Sequence, residues 1–428
     1  MAKSSVEKQT SNLMGQEVSV SEQPKEQVKN AISFQVGRVA FNKAVSLVGL
    51  GLPSKDFGDA TCGIMMSIDE DKLSELTLCT NSIEVFVRTK IKLDQKGKAG
   101  SICPNGNIMS AVVGRLRTMK NPINVDYLSD TDVLNVTCGT EYEGKIAHYD
   151  TVGFYMPPTN EEIKEYPEMS IPIRLIKRAL NEVAFAASKD KTNIQLTGIF
   201  FDQDSNGMNI VASDSLRISI IQYKSKINEP KSVVLSINHL ELISKVLRTL
   251  DIDDSEVVKL YITDDMAYFI SDNTTVGFQT YGNSYFDEYK QFVVEPSQCK
   301  IIMRFDRERF LNLLTLAMSH NYSSTDAITL KLLDVRNGVF ENVATSVSNS
   351  NAFSIPFDVK SVKKGAGEEK AKKFSIMVNP QFLVDVLSKV TSKEVDIGLI
   401  DYTDGPAAVF PVGEENTGKY LHVFSLTE

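Results

Sequence analysis

Several short stretches of the chain alternate apolar and polar residues with a period of two. They include "ELTLCTNSIEVFVRTKI" from Glu75, "VLNVTCGT" from Val133, "VKLYITDDMAYFIS" from Val258 and "AITLKLL" from Ala327. That period, with β-branched residues enriched, predicts strands buried on one face. Six other stretches place apolar residues near i, i+3, i+4 and i+7, the stripe of an amphipathic helix facing a core. Three of them, "FNKAVSLV", "IKRALNEV" and "FLNLLTLA", begin at Phe41, Ile176 and Phe310, spaced 135 and 134 residues apart. The other three begin at Asn105, Asn238 and Asn379, spaced 133 and 141 apart. Asn is a favoured helix N-cap because its side-chain oxygen accepts an orphan backbone N–H, so each of these Asn residues is expected to cap its helix.

The stretches "LCTNSIEVFV" from Leu78 and "VASDSLRISI" from Val211 lie 133 residues apart, and in each a small polar turn interrupts a strand pattern. The spacing predicts a threefold repeat of about 135 residues, each strands–helix–strands–helix–strands. The expected domains are 32–158, 159–297 and 298–428. Residues 1–31, rich in Ser, Gln, Glu and Lys and without an aromatic residue, read as a disordered tail. The longer spacing in the third repeat absorbs a Lys-rich insertion at 359–373, read as a solvated loop or a basic finger on a nucleic-acid backbone.

Composition narrows the chemistry. Five Cys without CxxC spacing in 428 residues read as reduced thiols of a cytoplasmic protein. None of the four His pairs with another His or a Cys at metal-ligand spacing, so no metal or cofactor is expected. No apolar run approaches the roughly 18 residues of a membrane span, so no membrane partner is expected.

Net charge is −9, but it is unevenly placed. The six helical stretches hold twelve Lys and Arg against five Asp and Glu, a surplus of seven, which leaves −16 for the rest of the chain. Three similar domains joined edge to edge would form a curved sheet with helices along one face, because open sheet edges need cover. Two such chains closing a ring would surround a hole lined by Lys and Arg. Such a hole suits a DNA duplex, since phosphate contacts hold by charge without reading sequence.

Particular motifs agree. "QLTGIFF" followed by "IVASDSLRI", "YFDEYKQFVV", "LGLPSK" and "GPAAVFPV" resemble, in order and spacing, the motifs of the bacterial beta sliding clamp family, the polymerase III beta subunits. The resemblance runs over residues 32–428. It implies an α+β fold of three repeated clamp domains, each with two helices packed on antiparallel sheets, and a head-to-tail homodimeric ring whose helices line the channel. It implies no catalysis. The implied partners are double-stranded DNA, the replicative DNA polymerase and the clamp loader, with proteins docking a short peptide in a groove between the second and third domains.

Carried over by motif, the groove is formed by Leu196, Ser213, Ser215, Leu216, Arg217 and Ile218 in the second repeat. Asn379, Phe382, Pro406, Ala408, Leu421, His422, Val423 and Phe424 complete it from the third. An apolar anchor needs a desolvated pocket, with polar groups around it to set orientation. The family's Gly-His before the Arg is Ser215-Leu216 here, its second Pro in the F-P-D-Y segment is Val294, and its terminal M-P-x-R is Val423 to Leu426. An altered peptide preference is therefore expected. For DNA, the resemblance points to Lys55, Lys189 and Lys191, and the polar faces of the helices point to Arg115, Arg178, Lys245 and Arg248.

Two other readings stay open at the level of sequence. Ser213, Asp214, Ser215 and His239 would be the material of a hydrolase, although no G-x-S-x-G elbow is present. A clamp-fold interaction module that does not encircle DNA is the second.

Overall fold

The computed structural model describes residues 32–225, 229–319, 328–332, 339–343, 354–356, 358–362, 374–401, 405–413 and 419–426. The N-terminal tail and positions 363–373 of the Lys-rich insertion lie outside the described residues. The insertion's first residues continue the strand Asp358–Val362.

All strand pairing among the described residues is antiparallel, in four sheets. Two sheets have nine strands and two have four. Each nine-stranded sheet is shared between successive repeats. In the first, Val85–Lys92 pairs with Thr274–Gln279, and the Thr89 and Thr274 hydroxyls meet at 2.9 Å in the buried seam. In the second, Arg217–Lys224 pairs with Lys419–Phe424, with Ile218 opposite Val423. The four-stranded sheets belong to the two ends of the fold. Their edges are Ile32–Val36 and Tyr142–Ile146 in the first repeat, and Ser354–Pro356 and Phe374–Val378 in the third.

Six helical segments lie where the periodicity predicts: Arg38–Val48 (α1), Gly106–Leu116 (α2), Ile173–Arg178 (α3), Ile237–Leu250 (α4), Arg307–Met318 (α5) and Pro380–Lys389 (α6). They form one continuous belt. α2 packs on α1, α1 meets α4, α4 meets α3, the turn following α3 meets α6, and α6 packs on α5. The main core lies between this belt and the sheets, where Phe41, Val113, Ile176, Ile243, Phe310 and Val386 are buried.

Two local expectations are corrected. Asn105 and Asn379 cap their helices, accepting from Ile108 N and Gln381 N. Asn238 does not: the cap is Ser236, whose hydroxyl accepts from His239 N, because α4 starts one residue before Asn238. Nor is 174–187 one regular helix. α3 gives way to a π-turn at Ala179–Val183 and a 3₁₀ turn at Ala184–Ala186. Widening at the π-turn sets Phe185 beside the second seam, where the Arg217 guanidinium reaches its ring and carbonyl.

The other face of the sheets carries smaller apolar clusters, and the chain crosses that face where it passes from one repeat to the next. Phe154, Ile163 and Tyr166 cover the first seam. There Arg88 reaches Pro157 O and Asn160 Oδ1, and Thr275 Oγ1 donates to the same Asn160 oxygen at 2.7 Å. Tyr281, Tyr285, Tyr289 and Val294 cover the second. Each seam is thus strapped on its outer side by its own connector.

Candidate functional site

The interruption in "NIVASDSLRISI" is a two-residue hairpin. Ser213 pairs with Ile218 across it, and Ser215 and Leu216 form its tip. Short hairpins need φ > 0 at the first central residue to match the twist of the strands. Ser215 supplies it at φ 74°, and Ile83 holds the equivalent place in the first repeat at φ 48°. Asp214 fixes the turn, its Oδ1 accepting from Leu216 N at 3.1 Å and Arg217 N at 3.0 Å. Leu216 is left 58% exposed at the tip.

Beside this hairpin lies a cavity of about 710 Å³. One wall is the hairpin with Leu196 behind it. The opposite wall is the end of the C-terminal strand, Val423 and Phe424, extended by Ser425 and Leu426, with Pro406 next to it. The connector closes the third side with Tyr285, Phe286 and Phe292. Tyr285 stacks on Phe200 with ring centroids 5.2 Å apart, and its hydroxyl accepts from Ser213 N at 3.0 Å. Burial pushes that phenol well above its ordinary value, so it stays neutral. The size and lining suit an apolar segment, each fully buried Leu- or Phe-sized anchor contributing about 1.5–3 kcal/mol.

Of the expected groove residues, Leu196, Ser213, Ser215, Leu216, Arg217, Ile218, Pro406, Val423 and Phe424 line the cavity. Five do not. Ala408 and Leu421 are fully buried in the apolar layer beneath it. His422 points to the opposite face, because neighbouring residues of a strand alternate sides; its Nδ1 lies 2.7 Å from Ser219 Oγ. Asn379 caps α6, and Phe382 lies under the Arg217 guanidinium at 4.9 Å. Tyr285, Phe286 and Phe292 line the cavity although the motif "YFDEYKQFVV" does not by itself point to them as lining residues. Its Tyr-Phe pair beside a strand end was the available signal.

Arg217 lines the cavity and also holds the hairpin in place. Its Nε donates to Asp214 Oδ2 at 2.9 Å, one terminal nitrogen to Asp385 Oδ2 at 2.5 Å, and the other to Phe185 O at 3.2 Å. Phe185 and Phe382 both lie within cation–π distance. The guanidinium therefore ties the hairpin to α6 across the second seam, and only its edge borders the cavity. Complete burial, helped by the Arg217 charge, holds His422 down to about 3, so its ring is neutral.

The residues a hydrolase would need are apart. The Ser213 hydroxyl donates to Arg217 O at 2.8 Å, while His239 packs against Phe278. Among the described residues no group of three or more His, Cys, Asp or Glu is placed to hold a metal ion. All five Cys are free and buried.

Among the expected DNA contacts, Lys55, Arg115, Lys189, Lys191, Lys245 and Arg248 are exposed. Lys245 has a loose neighbour in Glu241 at 3.9 Å. Arg178 differs. Its guanidinium forks onto Glu182, four residues on, at 2.6–2.9 Å and is mostly buried. Lys55 precedes Asp56 and Asp59, so its surroundings are acidic.

This arrangement, with repeated two-helix domains sharing sheets across their seams, an inner helix belt and a pocket at the second seam, defines a three-domain clamp. A family model for the DNA polymerase III beta subunit, central domain, matches residues 170–280. The beta sliding clamp of Synechocystis is 21% identical over 386 residues, covering 87% of this chain and 94% of that protein. That of Halalkalibacterium halodurans is 20% identical and covers 92% and 98%. Among solved structures, the DNA polymerase III beta subunit of Pseudomonas aeruginosa superposes with a TM-score of 0.76 at 14% identity, covering 92% of this chain and all of that one. A putative beta subunit from Eubacterium rectale gives 0.75 at 20%, covering 93% and all. Residues 170–280 thus match the central domain of that family, and over most of its length the chain is similar to beta sliding clamps and shares their fold.

Proposed function

We propose that the chain is a DNA sliding clamp, two copies closing head to tail around duplex DNA and tethering a replicative polymerase as its processivity factor. The observation that carries this is the identity of the strands left at the ends. Inside the chain, the strand after each repeat's hairpin (Val85–Lys92, Arg217–Lys224) pairs with the last strand of the following repeat (Thr274–Gln279, Lys419–Phe424). Among the described residues, the counterparts without a partner across a seam are Tyr142–Ile146, the last strand of the first terminal sheet, and Ser354–Pro356 at the edge of the other. Pairing these between two chains repeats the internal seam and leaves no open edge there.

The helix belt then faces the channel. Arg115, Lys245 and Arg248 supply phosphate contacts from the helices, with Lys189, Lys191 and Lys55 on loops. The domains we assign are 32–158, 159–297 and 298–428. The cavity at the second seam holds a short apolar peptide of the polymerase or the clamp loader, and no catalytic step is assigned to the chain.

The test is retention on DNA. Loaded protein should stay on closed circular DNA roughly tenfold longer than on the same DNA linearised, since a topological grip ends at a free end. Lys245→Glu with Arg248→Glu should shorten retention on the circle and leave the ring intact. Equal retention on circular and linear DNA would rule out encirclement and favour an interaction module with a clamp fold.

A further inference from the structure

The first seam carries an apolar surface that the clamp reading leaves unused. Five of the thirteen exposed large apolar side chains among the described residues gather there: Phe57, Ile83, Val152, Tyr155 and Met156. Three segments bring them together. Asn81, at the base of the first-repeat hairpin, donates through Nδ2 to Tyr155 O at 2.8 Å. Gly153 lies against Ala60, in the loop that follows Phe57, and Phe154 and Ala60 share one small buried cluster. On the far side, Tyr155 lies close enough to Tyr268 to help raise its phenol.

The parts are those of the second-seam cavity. Ile83 and Ser215 are the first tip residues of equivalent hairpins. Tyr155-Met156 and Tyr285-Phe286 stand 130 residues apart in equivalent connectors. The difference lies in how the tyrosine is placed. Tyr285 is buried under its hairpin, whereas Tyr155 is 77% and Ile83 80% exposed. Contiguous exposed apolar area of this kind marks an interaction surface.

Charge says what covers it. Asp56, Asp59, Glu84 and Asp150 rim the patch, all exposed, against Lys55. Three of these carboxylates are held in place by backbone N–H groups at 2.9 Å: Asp56 by Gly58, Asp59 by Thr61 and Asp150 by Val152. We propose that the first seam is a second docking site, taking an apolar linear segment of a protein partner that carries Lys or Arg beside its anchors. The apolar residues supply the anchoring area, and the acidic rim selects and orients the segment. This does not depend on the ring or on the occupant of the second-seam cavity.

The probe is a labelled peptide with two leucines and one phenylalanine spaced by alanines between pairs of lysines, titrated into the full chain by fluorescence anisotropy. Binding should fall roughly tenfold in Tyr155→Ser/Met156→Ser and in Val152→Asn, and should survive Leu216→Asp. The same peptide with glutamates for lysines should bind roughly tenfold more weakly to the wild type, and added salt should weaken the lysine form. All substituted side chains are exposed, and unchanged melting temperatures will show that each variant folds. Binding lost in Leu216→Asp but kept in Tyr155→Ser/Met156→Ser would overturn the proposal, as would indifference to peptide charge. A benzophenone side chain at position 152 that crosslinks residues 1–31 would make the chain's own tail the occupant and overturn it too. So would a drop in molar mass in the patch variants, which would make the patch a contact between copies.

Discussion

Ser215 sits in a backbone conformation that an L-residue with a side chain adopts at a cost of about 1 kcal/mol. The hairpin imposes it, since two-residue loops with the wrong twist would splay the strands. The related family motif has Gly at this place, where the conformation carries no penalty. Ser215→Gly is therefore expected to stabilise the protein by about 0.5 kcal/mol, once the greater freedom of Gly in the unfolded chain is offset. Urea unfolding would show it, and a loss of stability would mean that the freedom Gly adds to the unfolded chain outweighs the strain relieved. Arg217 is the opposite case. It lines the pocket as its motif implies, but one of the two carboxylates that hold it, Asp385, is 168 positions away. No local pattern announces a partner at that distance.

The C-terminal strand Lys419–Phe424 shows what a motif leaves out at the level of an element. The motif implies Leu421, His422, Val423 and Phe424 together at one site, yet only the last two reach the cavity, Leu421 being buried beneath it and His422 turned to the other face of the strand. The period-two rule had served well for locating strands, and the helical period placed six helices by their apolar stripes. What the pattern could not give was the π-turn after α3, which depends on tertiary packing, or the connector aromatics, whose role follows from where the chain crosses the sheet. His422 has a measurable consequence. It is held near 3 when folded, against about 6.5 for an unperturbed His. Between these values only the unfolded chain takes up the proton. Stability should therefore be complete above about pH 6.5 and fall as pH drops towards 3, by at most about 1.4 kcal/mol per unit. His239, also lowered by burial, acts in the same direction. The melting temperature should be lower at pH 5 than at pH 7.5, with a shallower dependence in His422→Asn. Equal slopes would assign the effect to other groups.

For the whole molecule, the repeat was legible because three copies of one pattern recur at nearly constant spacing, and the basic surplus on the helices separated one face from the rest. Edge-to-edge joining of the domains follows from the need to cover sheet edges, but which strands pair across the seams was not legible, since pairing between residues such as Thr89 and Thr274 spans 185 positions. The terminal four-stranded sheets carry an expectation for mass. Light scattering across a dilution series should give about twice the 47.5 kDa of one chain, with dissociation at the lowest concentrations. A single-chain mass throughout would mean that the end strands find no partner in another copy.

The connectors lead to a mechanical asymmetry. At both seams inside the chain, a covalent strap crosses the outer surface and would have to peel away before the sheets could part. A joint between two chains would have no such strap, only strand pairing and side chains. A closed assembly would then have four reinforced joints and two latches, and a machine that pries it apart would find the same two doors every time, leaving the hinge strain to be taken up elsewhere in the wall.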